Sequence, residues 1–329
     1  MNLQIKKLIA GVYAFLFLIQ ASAQVGSSLS YDGVNDKVVR NSVITTAINS
    51  ITVEARVNWN GSTASGTIFF NGDWNNFNGY GFFVDNAGKL WFEDGACCAY
   101  INTSIPALQV NQWTLYSFVF MGSNSKVYIN GNYAGAFSCL GLVIPTGFFS
   151  IGCNATATSH FNGQFDEFRV WDRPLCATEI LDRAQGQVSG NEPGLIAAYN
   201  FNNGIASGSN TTVTTLNDIT SFGNTCNLQN FTLTGAVSNW VDPSGTYSVN
   251  SNYAPTTLTV TTSDSLTICA GESVTLTVAG ASSYTWSTGS NSASISVTPS
   301  TSTSYSALGI TSATPACYGI SNIVTITVD

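Results

Sequence analysis

The segment Phe161–Asp182, FNGQFDEFRVWDRPLCATEILD, constrains the fold more than any other part of the sequence. Its first half alternates apolar residues around the acidic pair Asp166-Glu167, which predicts a β-strand. Pro174 follows at a position that the first turn of a helix tolerates, and about two helical turns run to Ala184. No other stretch of the chain keeps a helical period. A chain of strands with one short helix directly after a strand is compatible with few architectures.

Short strands separated by turn residues recur through the first two thirds of the sequence. Ile51–Val57 alternates with period two, and Trp113–Phe120 is a nearly continuous apolar and aromatic run. Lys126–Ile129 ends at Asn130-Gly131, which is the strongest short signal for a β-hairpin. This pattern predicts an all-β chain built as a β-sandwich.

The N-terminus has the pattern of a secretory signal peptide, assigned to residues 1–23. Two lysines precede the apolar run Leu8–Ile19, and the small residues Ala21–Ala23 follow it. The apolar run is too short to cross a bilayer core of about 30 Å. We therefore expect export, a mature chain that starts at about Gln24, and no membrane insertion after cleavage. The mature protein is then secreted or held at the cell surface.

Charge is sparse and acidic. Charged residues make up 9% of the chain and the formal net charge is −8, with no lysine or arginine after Arg183. An average soluble protein has about 25% charged residues. Without a basic patch the chain has nothing to neutralise phosphates, which argues against nucleic acid and anionic membrane surfaces as partners.

Composition divides the chain once. Residues 24–242 are rich in aromatics, and residues 255–329 are rich in threonine, serine and valine. The polar stretch 243–254, which begins Pro243-Ser244-Gly245, is predicted to be a linker. Each of the two parts is long enough to form its own core.

Ordered motifs in the first part resemble laminin G-like domains, which belong to the concanavalin A-like lectin and glucanase jelly rolls. The tail LIAAYNFNNG (Leu195–Gly204) resembles the segment that often opens such a domain, as in a circular permutation. The resemblance implies a jelly-roll β-sandwich with one short helix, and the style of the chain is similar to exported Bacteroidetes-type proteins. The motifs are LSYDGVNDKVV (Leu29–Val39), ITVEARVNW (Ile51–Trp59), GYGFFVDNAGKLWF (Gly79–Phe92), QWTLYSFVF (Gln112–Phe120), SKVYINGNYAG (Ser125–Gly135), FSIG (Phe149–Gly152) and FDEFRVWDRPLCATEI (Phe165–Ile180).

The second part resembles a bacterial immunoglobulin-like domain, a smaller β-sandwich. Cys269, Trp286 and Cys317 stand in the order of a disulfide pinned across such a sandwich. The resemblance implies a Cys269–Cys317 disulfide, although Cys269 precedes its strand. An even number of cysteines in an exported chain indicates disulfides. The pairing of the other six stays open: Cys97, Cys98, Cys139, Cys153, Cys176 and Cys226.

Sandwiches of the resembled family often hold calcium, which prefers six to eight oxygen ligands. The resemblance therefore implies a structural calcium ion. An alternative is that the aspartates proposed as its ligands form turns or pair with arginine. The candidate ligands are Asp32, Asp36, Asp166 and Asp218.

The loop Asn71–Tyr80 contains the best candidates for ligand binding. Trp74 lies among aspartate and asparagine residues, and no strand alternation requires its burial. Sugars dock on aromatic rings while carboxylates and amides bind their hydroxyls, so this loop predicts a glycan site. The alternative is that Trp74 folds back over its own loop. The tryptophans at positions 59, 91, 113 and 171 lie in strands and are predicted to be core. The candidate ligand-binding residues are Asp73, Trp74, Asn75, Asn76 and Tyr80.

These observations predict a non-catalytic, lectin-like recognition module for a glycan or cell-surface polysaccharide, serving carbohydrate binding or adhesion. A structural adhesin segment without a small ligand is one alternative, and a glycoside hydrolase is another. Hydrolysis needs two carboxylates in one cleft. Asp166-Glu167 and Glu93-Asp94 are adjacent in sequence, so each pair is expected to split between the two faces of its strand. A pair built from Glu93 and Glu167 stays open.

Overall fold

A computed structural model describes residues 26–48, 50–73, 78–94, 97–100, 105–138, 143–154, 159–184, 186–243, 258–262 and 264–329. For residues 94 and 97–100 the description is of the backbone. The predicted signal peptide 1–23 lies outside the described residues, as does the predicted linker 243–254 apart from Pro243.

The described chain forms 25 β-strands and one α-helix, α1 (Ala177–Arg183). The N-terminal strands are β1 (Ser28–Asp32), β2 (Lys37–Arg40), β3 (Ile51–Trp59), β4 (Gly66–Asp73), β5 (Asn78–Val84), β6 (Leu90–Asp94), β7 (Cys97–Tyr100), β8 (Trp113–Phe120), β9 (Ser125–Ile129), β10 (Asn132–Phe137), β11 (Phe148–Ile151), β12 (Asn162–Trp171), β13 (Leu195–Tyr199), β14 (Thr215–Leu216), β15 (Cys226–Gln229) and β16 (Trp240–Val241). The C-terminal strands are β17 (Thr259–Thr262), β18 (Thr267–Ile268), β19 (Val274–Ala279), β20 (Ser283–Trp286), β21 (Ser294–Val297), β22 (Thr303–Tyr305), β23 (Ala307–Ile310), β24 (Tyr318–Ile320) and β25 (Val324–Val328).

The first sixteen strands form two eight-stranded antiparallel sheets, which we call the N-terminal sandwich. The first sheet has the order β10-β9-β8-β3-β12-β1-β16, with β13 also paired to β12. The second sheet has the order β14-β15-β2-β11-β4-β5-β6-β7. The predicted all-β fold, a jelly-roll sandwich with one short helix, is confirmed.

The core lies between the two sheets and is strongly aromatic. Phe82 of the second sheet stacks on Phe118 of the first, with ring centroids 3.7 Å apart. Along β3, Val53, Ala55 and Val57 belong to this core. The alternation read from the sequence therefore places one face of β3 inward, as predicted.

The helix begins later than the sequence predicts. Cys176 is its N-cap, and the Glu179 carboxylate accepts a hydrogen bond from the Cys176 backbone N–H at 3.3 Å. Pro174 thus precedes the first turn. A second apolar cluster that includes Trp171, Leu175 and Ile180 packs this segment onto the outer face of the first sheet.

A β-bulge interrupts β12 at Glu167. Asp166 lies opposite Arg56 and Phe168 lies opposite Ala55, so Glu167 is an extra residue with φ of +54°. Since two residues instead of one now separate the core residues Phe165 and Phe168, both acidic residues lie on the outer face. The expectation that this pair splits between two faces is wrong, because the bulge cancels the alternation.

The C-terminal strands β17 to β25 form three three-stranded sheets, which we call the C-terminal β unit. Its own core includes Leu276, Trp286 and Ile326. No helix of the described residues is long and apolar enough to cross a membrane.

The predicted Cys269–Cys317 disulfide is wrong. Cys317 instead pairs with Cys176 at the start of α1, which joins the C-terminal β unit to the N-terminal sandwich. Cys269 is exposed and unpaired, in a turn where its backbone N–H donates to Glu272. Cys317 lies between β23 and β24, and the disulfide brings this hairpin to the N-terminus of α1. Among cysteines whose side chains are described, Cys153 and Cys226 are buried and unpaired.

Candidate functional site

The outer face of the first sheet is closed by α1 and holds a buried charge network. Arg169, 1% exposed, contacts Glu167 at 2.7 Å and Glu54 at 3.4 Å. The Trp171 indole N–H also donates to Glu54, at 3.2 Å. Burial alone would lower the pKa of Arg169, but the two carboxylates raise it above its usual range. These acids therefore serve the packing of the helix segment onto the sheet.

The hypothetical catalytic pair Glu93 and Glu167 is not assembled. Glu167 lies on the outer face of the first sheet, bound to Arg169. Glu93 lies on β6 of the second sheet and follows Phe92, which is in the core, so it faces outward. The whole sandwich core separates the two carboxylates, which rules out this pair as hydrolytic machinery.

The outer face of the second sheet, which we call the open face, is different. The helix α1 packs on the other sheet, so no helix of the described chain covers the open face. Its centre is formed by outward residues of β4, β5 and β6, because the residues between them point into the core. Among these outward residues Phe83 and Trp91 are partly exposed, whereas Phe70, Gly81 and Glu93 are buried.

Phe83 and Trp91 form a partly exposed aromatic pair on the open face. They lie directly opposite each other on β5 and β6, with ring centroids 5.8 Å apart and planes only 10° apart. The Trp91 indole N–H donates to the Asp85 carboxylate at 3.0 Å, which fixes the orientation of the ring. The pair therefore presents two nearly parallel rings held by the β5–β6 hairpin.

The surroundings of Asp85 keep its carboxylate charged, in contact with the Trp91 indole. Partial burial would raise the pKa of Asp85, but hydrogen bonds from Trp91 and from the backbone N–H groups of Ala87 and Lys89 lower it below its usual value. The carboxylate is consequently ionised at neutral pH. A charged acceptor strengthens its hydrogen bond to the indole.

Glu93 lies two residues beyond Trp91 on the same face. It is 5% exposed, and burial raises the pKa of its carboxyl to about 7. Across the sheet it faces Gly81, and the Phe70 ring packs over that glycine, within 2.9 Å of where a Cβ would lie. A Cβ at position 81 would collide first with the Phe69 backbone carbonyl oxygen and then with this ring. Because its pKa lies near 7, the Glu93 carboxyl is partly protonated at neutral pH and can donate as well as accept a hydrogen bond.

Glu93 makes stability depend on pH. Its folded pKa is raised above the unfolded value of about 4.5, so its contribution is fully present at acid pH and is lost as pH rises through about 7. We expect the free energy of unfolding to fall by about 2–3 kcal/mol between pH 5 and pH 8.5 from this group. Urea unfolding across this range should show a flatter profile in Glu93→Gln. The matched control is Glu272→Gln at an exposed turn, which should leave the profile of the wild type, whereas an unchanged profile in Glu93→Gln contradicts the assignment.

The predicted ligand residue Tyr80 is instead part of the core. It is 1% exposed, and its hydroxyl donates to the Ala47 carbonyl at 3.1 Å while accepting from Asn71. Position 80 alternates inward with Phe82, so its ring is not available to a ligand. The prediction for Tyr80 is therefore wrong.

The rest of the predicted loop is only partly described. Trp74, Asn75 and Asn76 lie outside the described residues. Asp73 is at the base of the β4–β5 hairpin, where its backbone N–H donates to the Asn78 side chain at 3.0 Å. The Asn78 amide in turn donates to Thr146, so a neighbouring loop anchors this base.

The predicted calcium ligands are dispersed. Asp32 and Asp36 are in contact, because the Asp32 backbone N–H donates to Asp36 at 2.9 Å. The Asp32 carboxylate accepts from the backbone of Val34, and Asp36 accepts from the Ser238 hydroxyl. Asp32 therefore forms a turn, as the alternative interpretation held.

The other two candidates lie elsewhere. Asp166 is buried on β12 opposite Arg56. Both oxygens of Asp218 accept hydrogen bonds, from Ala198 and Thr220 on one and from Thr220 and Asn224 on the other. In the described ranges no three histidine, cysteine, aspartate or glutamate residues are grouped so that they would hold a metal ion.

The sequence interpretation missed Trp91 as a surface residue. Trp59, Trp113 and Trp171 are buried as predicted, but Trp91 is partly exposed. The signal was present, since Leu90 and Phe92 flank it and a strand cannot bury both faces without a second layer.

Comparison with known proteins supports the fold in this region. Residues 32–181 match the family model Laminin_G_3, of the concanavalin A-like lectin/glucanases superfamily. The match supports a domain of that superfamily in this part of the chain. No curated protein matches the sequence.

Several solved structures are similar. A Bacteroides ovatus protein proposed to bind carbohydrate shares 17% identity over 66% of this chain, with a TM-score of 0.45, and the chain spans 62% of its length. A heptameric SAP-like pentraxin from Limulus polyphemus shares 20% identity over 48% of this chain and 82% of its own, with a TM-score of 0.39. Domain 4 of a Geobacillus stearothermophilus extracellular arabinanase, solved with arabinotriose, shares 22% identity over 49% of this chain and 78% of its own, with a TM-score of 0.42.

Proposed function

We propose that this chain is an exported, non-catalytic, lectin-like module that binds a glycan or cell-surface polysaccharide through the open face. The observation that carries the proposal is the Phe83–Trp91 pair, partly exposed and fixed by Asp85 beside the Glu93 carboxyl. The match of residues 32–181 with a superfamily of lectins and glucanases supports it.

The chemistry of the open face suits a sugar. The C–H face of a pyranose or furanose packs on an aromatic ring, and a ring held in one orientation loses little conformational entropy on binding. Glu93 is only 5% exposed, so the aromatic pair is the part of the open face that a sugar contacts.

The hairpin between β4 and β5 extends the proposed site. Asp73, Trp74, Asn75 and Asn76 are the further ligand residues that the proposal includes, because the strands that flank them, β4 and β5, belong to the second sheet. The proposal includes the division into a signal peptide (1–23), the lectin-like domain (24–242), a linker (243–254) and an immunoglobulin-like spacer (255–329).

A glycan array with the mature chain 24–329, with and without EDTA, tests the proposal. We expect binding that survives EDTA, since the described ranges group no three histidine, cysteine, aspartate or glutamate residues as a metal ion would need. Trp91→Ala and Trp74→Ala should each weaken binding at least tenfold, because truncating a central aromatic anchor commonly costs 2 kcal/mol or more. The matched control is Tyr133→Ala, at an aromatic on β10 of the first sheet that is 61% exposed.

Two other results would redirect the assignment. If the wild type binds no glycan, the chain is better explained as a structural adhesin segment. Release of reducing sugar by the wild type, lost in Glu93→Gln, would instead support a glycoside hydrolase.

A further inference from the structure

The N-terminal sandwich and the C-terminal β unit meet at a junction with specific contacts. The Cys176–Cys317 disulfide crosses it, and Thr178 lies 3.3 Å from the Cys317 sulfur. The Arg173 guanidinium lies over the Tyr318 ring, 4.1 Å from its centroid. A covalent bond and a cation–π contact at adjacent positions fix how the two units approach each other.

The charge of Arg173 is already neutralised at this junction. Its two terminal nitrogens donate to the Glu179 carboxylate at 2.9 and 2.6 Å, and its Nε donates to the Pro193 carbonyl at 2.9 Å. Arg173 therefore presents the face of its guanidinium to Tyr318, while its positive charge is paired with Glu179.

A groove runs between the two units, and we call it the junction groove. A cavity of about 530 Å³ is bounded by Ser50, Asp172, Gly194, Leu308 and Tyr318, among others. Small-molecule sites typically have volumes of about 300–1,000 Å³ and occur preferentially where two domains meet. This cavity meets both conditions.

The groove continues along the N-terminal sandwich. A second cavity of about 290 Å³ shares Asp172 and Gly194 with the first, and Phe222 is among its lining residues. The Phe222 side chain is 62% exposed. The two cavities therefore meet at Asp172 and Gly194, with Tyr318 lining one and the exposed Phe222 lining the other.

Asp172, which lines both cavities, is an exposed residue. Asp172 Oδ1 lies 2.8 Å from where a Cβ on Gly194 would be, so only glycine leaves room for it there. Gly194 also has φ of +81°, which glycine adopts without strain. Asp172 and the nearby Glu192 disfavour an anion, while the hydroxyls of Ser50 and Tyr318 are available as donors and acceptors. An elongated, neutral, hydroxyl-rich chain fits this lining.

We propose that the junction groove is a second glycan-binding site, specific for a linear neutral oligosaccharide, whose shape the Cys176–Cys317 disulfide maintains. The inference rests on the proposed function for the class of ligand but uses none of the residues of the open face. Two sites on one rigid molecule would let it engage two stretches of the same polysaccharide, which raises the apparent affinity without any new contact.

Calorimetric titration of the oxidised chain 24–329 with cellotetraose, xylotetraose and maltotetraose tests the proposal. At least one sugar should bind in Trp91→Ala, in which the open face is disabled. In that background Asp172→Asn and Leu308→Trp, which fills the cavity, should each weaken the remaining binding at least tenfold. The matched control is Asp242→Asn, at an exposed aspartate that lines neither cavity. Replacing both Cys176 and Cys317 with serine should also weaken it tenfold or more.

The outcomes separate the two proposals. Binding that disappears in Trp91→Ala alone overturns the second site and leaves the proposed function intact. If binding persists in Trp91→Ala and its affinity is unchanged by both Asp172→Asn and Leu308→Trp, the site lies elsewhere and the inference is overturned. Binding of no sugar by the wild type, here and on the array, overturns both. Amide shifts in a ¹H–¹⁵N spectrum of the wild type with sugar, centred on residues 172, 194 and 308, provide a readout that needs no variant.

Discussion

Replacing Arg169 with methionine is expected to lower the free energy of unfolding by about 3–5 kcal/mol. The substitution leaves Glu54 and Glu167 buried on the outer face of the first sheet without their cation, and both are less than 4% exposed. It also removes the donors to the carbonyls of Arg183 and Gly186, which hold the end of the helix segment onto the sheet. Urea unfolding at pH 7 measures the loss.

The control is Lys89→Met at an exposed turn, which should change stability by less than about 0.5 kcal/mol. If uncompensated charge is the cause, neutralising both acids in the same background, as Glu54→Gln with Glu167→Gln, should recover part of the loss. A loss below 1 kcal/mol in Arg169→Met would mean that water reaches the network and that the helix segment does not seal this face.

Removing the Cys176–Cys317 disulfide should lower stability by about 4–5 kcal/mol in the chain-entropy model, because the bond joins residues 141 apart. We expect the double variant Cys176→Ser with Cys317→Ser to unfold in two separate calorimetric transitions, one for each core. The oxidised wild type should unfold at higher temperature.

Cys269→Ser is the matched control, since Cys269 is an exposed, unpaired cysteine of the same unit as Cys317. It should leave the calorimetric profile unchanged. If Cys269→Ser destabilises the chain while Cys176→Ser does not, then Cys317 pairs with Cys269 after all. Mapping of disulfide-linked peptides from the unreduced protein would give the same answer directly.

Local patterns in the sequence were sufficient for most of the fold. The alternation in Ile51–Val57 gives the buried face of β3, and Asn130-Gly131 forms the predicted turn between β9 and β10 with positive φ at both residues. The helix after Pro174 was also found, although its start depends on the contact between Glu179 and the Cys176 backbone.

Features set by distant parts of the chain were not predictable in this way. Nothing near Glu167 marks a bulge, since no glycine is present there, and its position is fixed by Arg169 and Glu54. The partner of Cys317 depends on how two units meet, which no local pattern encodes. Within the site, the sequence predicts a loop through Tyr80, whereas β5 begins at Asn78 and its alternation buries the Tyr80 ring.

The central claim is that the open face recognises a glycan through Phe83 and Trp91. The most direct test is calorimetric titration of the strongest array ligand into the wild type, Phe83→Ala, Trp91→Ala and the control Tyr133→Ala. The account predicts wild-type affinity in Tyr133→Ala and at least tenfold weaker binding in each open-face variant, with all four chains folded by circular dichroism. Unchanged affinity in both Phe83→Ala and Trp91→Ala would contradict it.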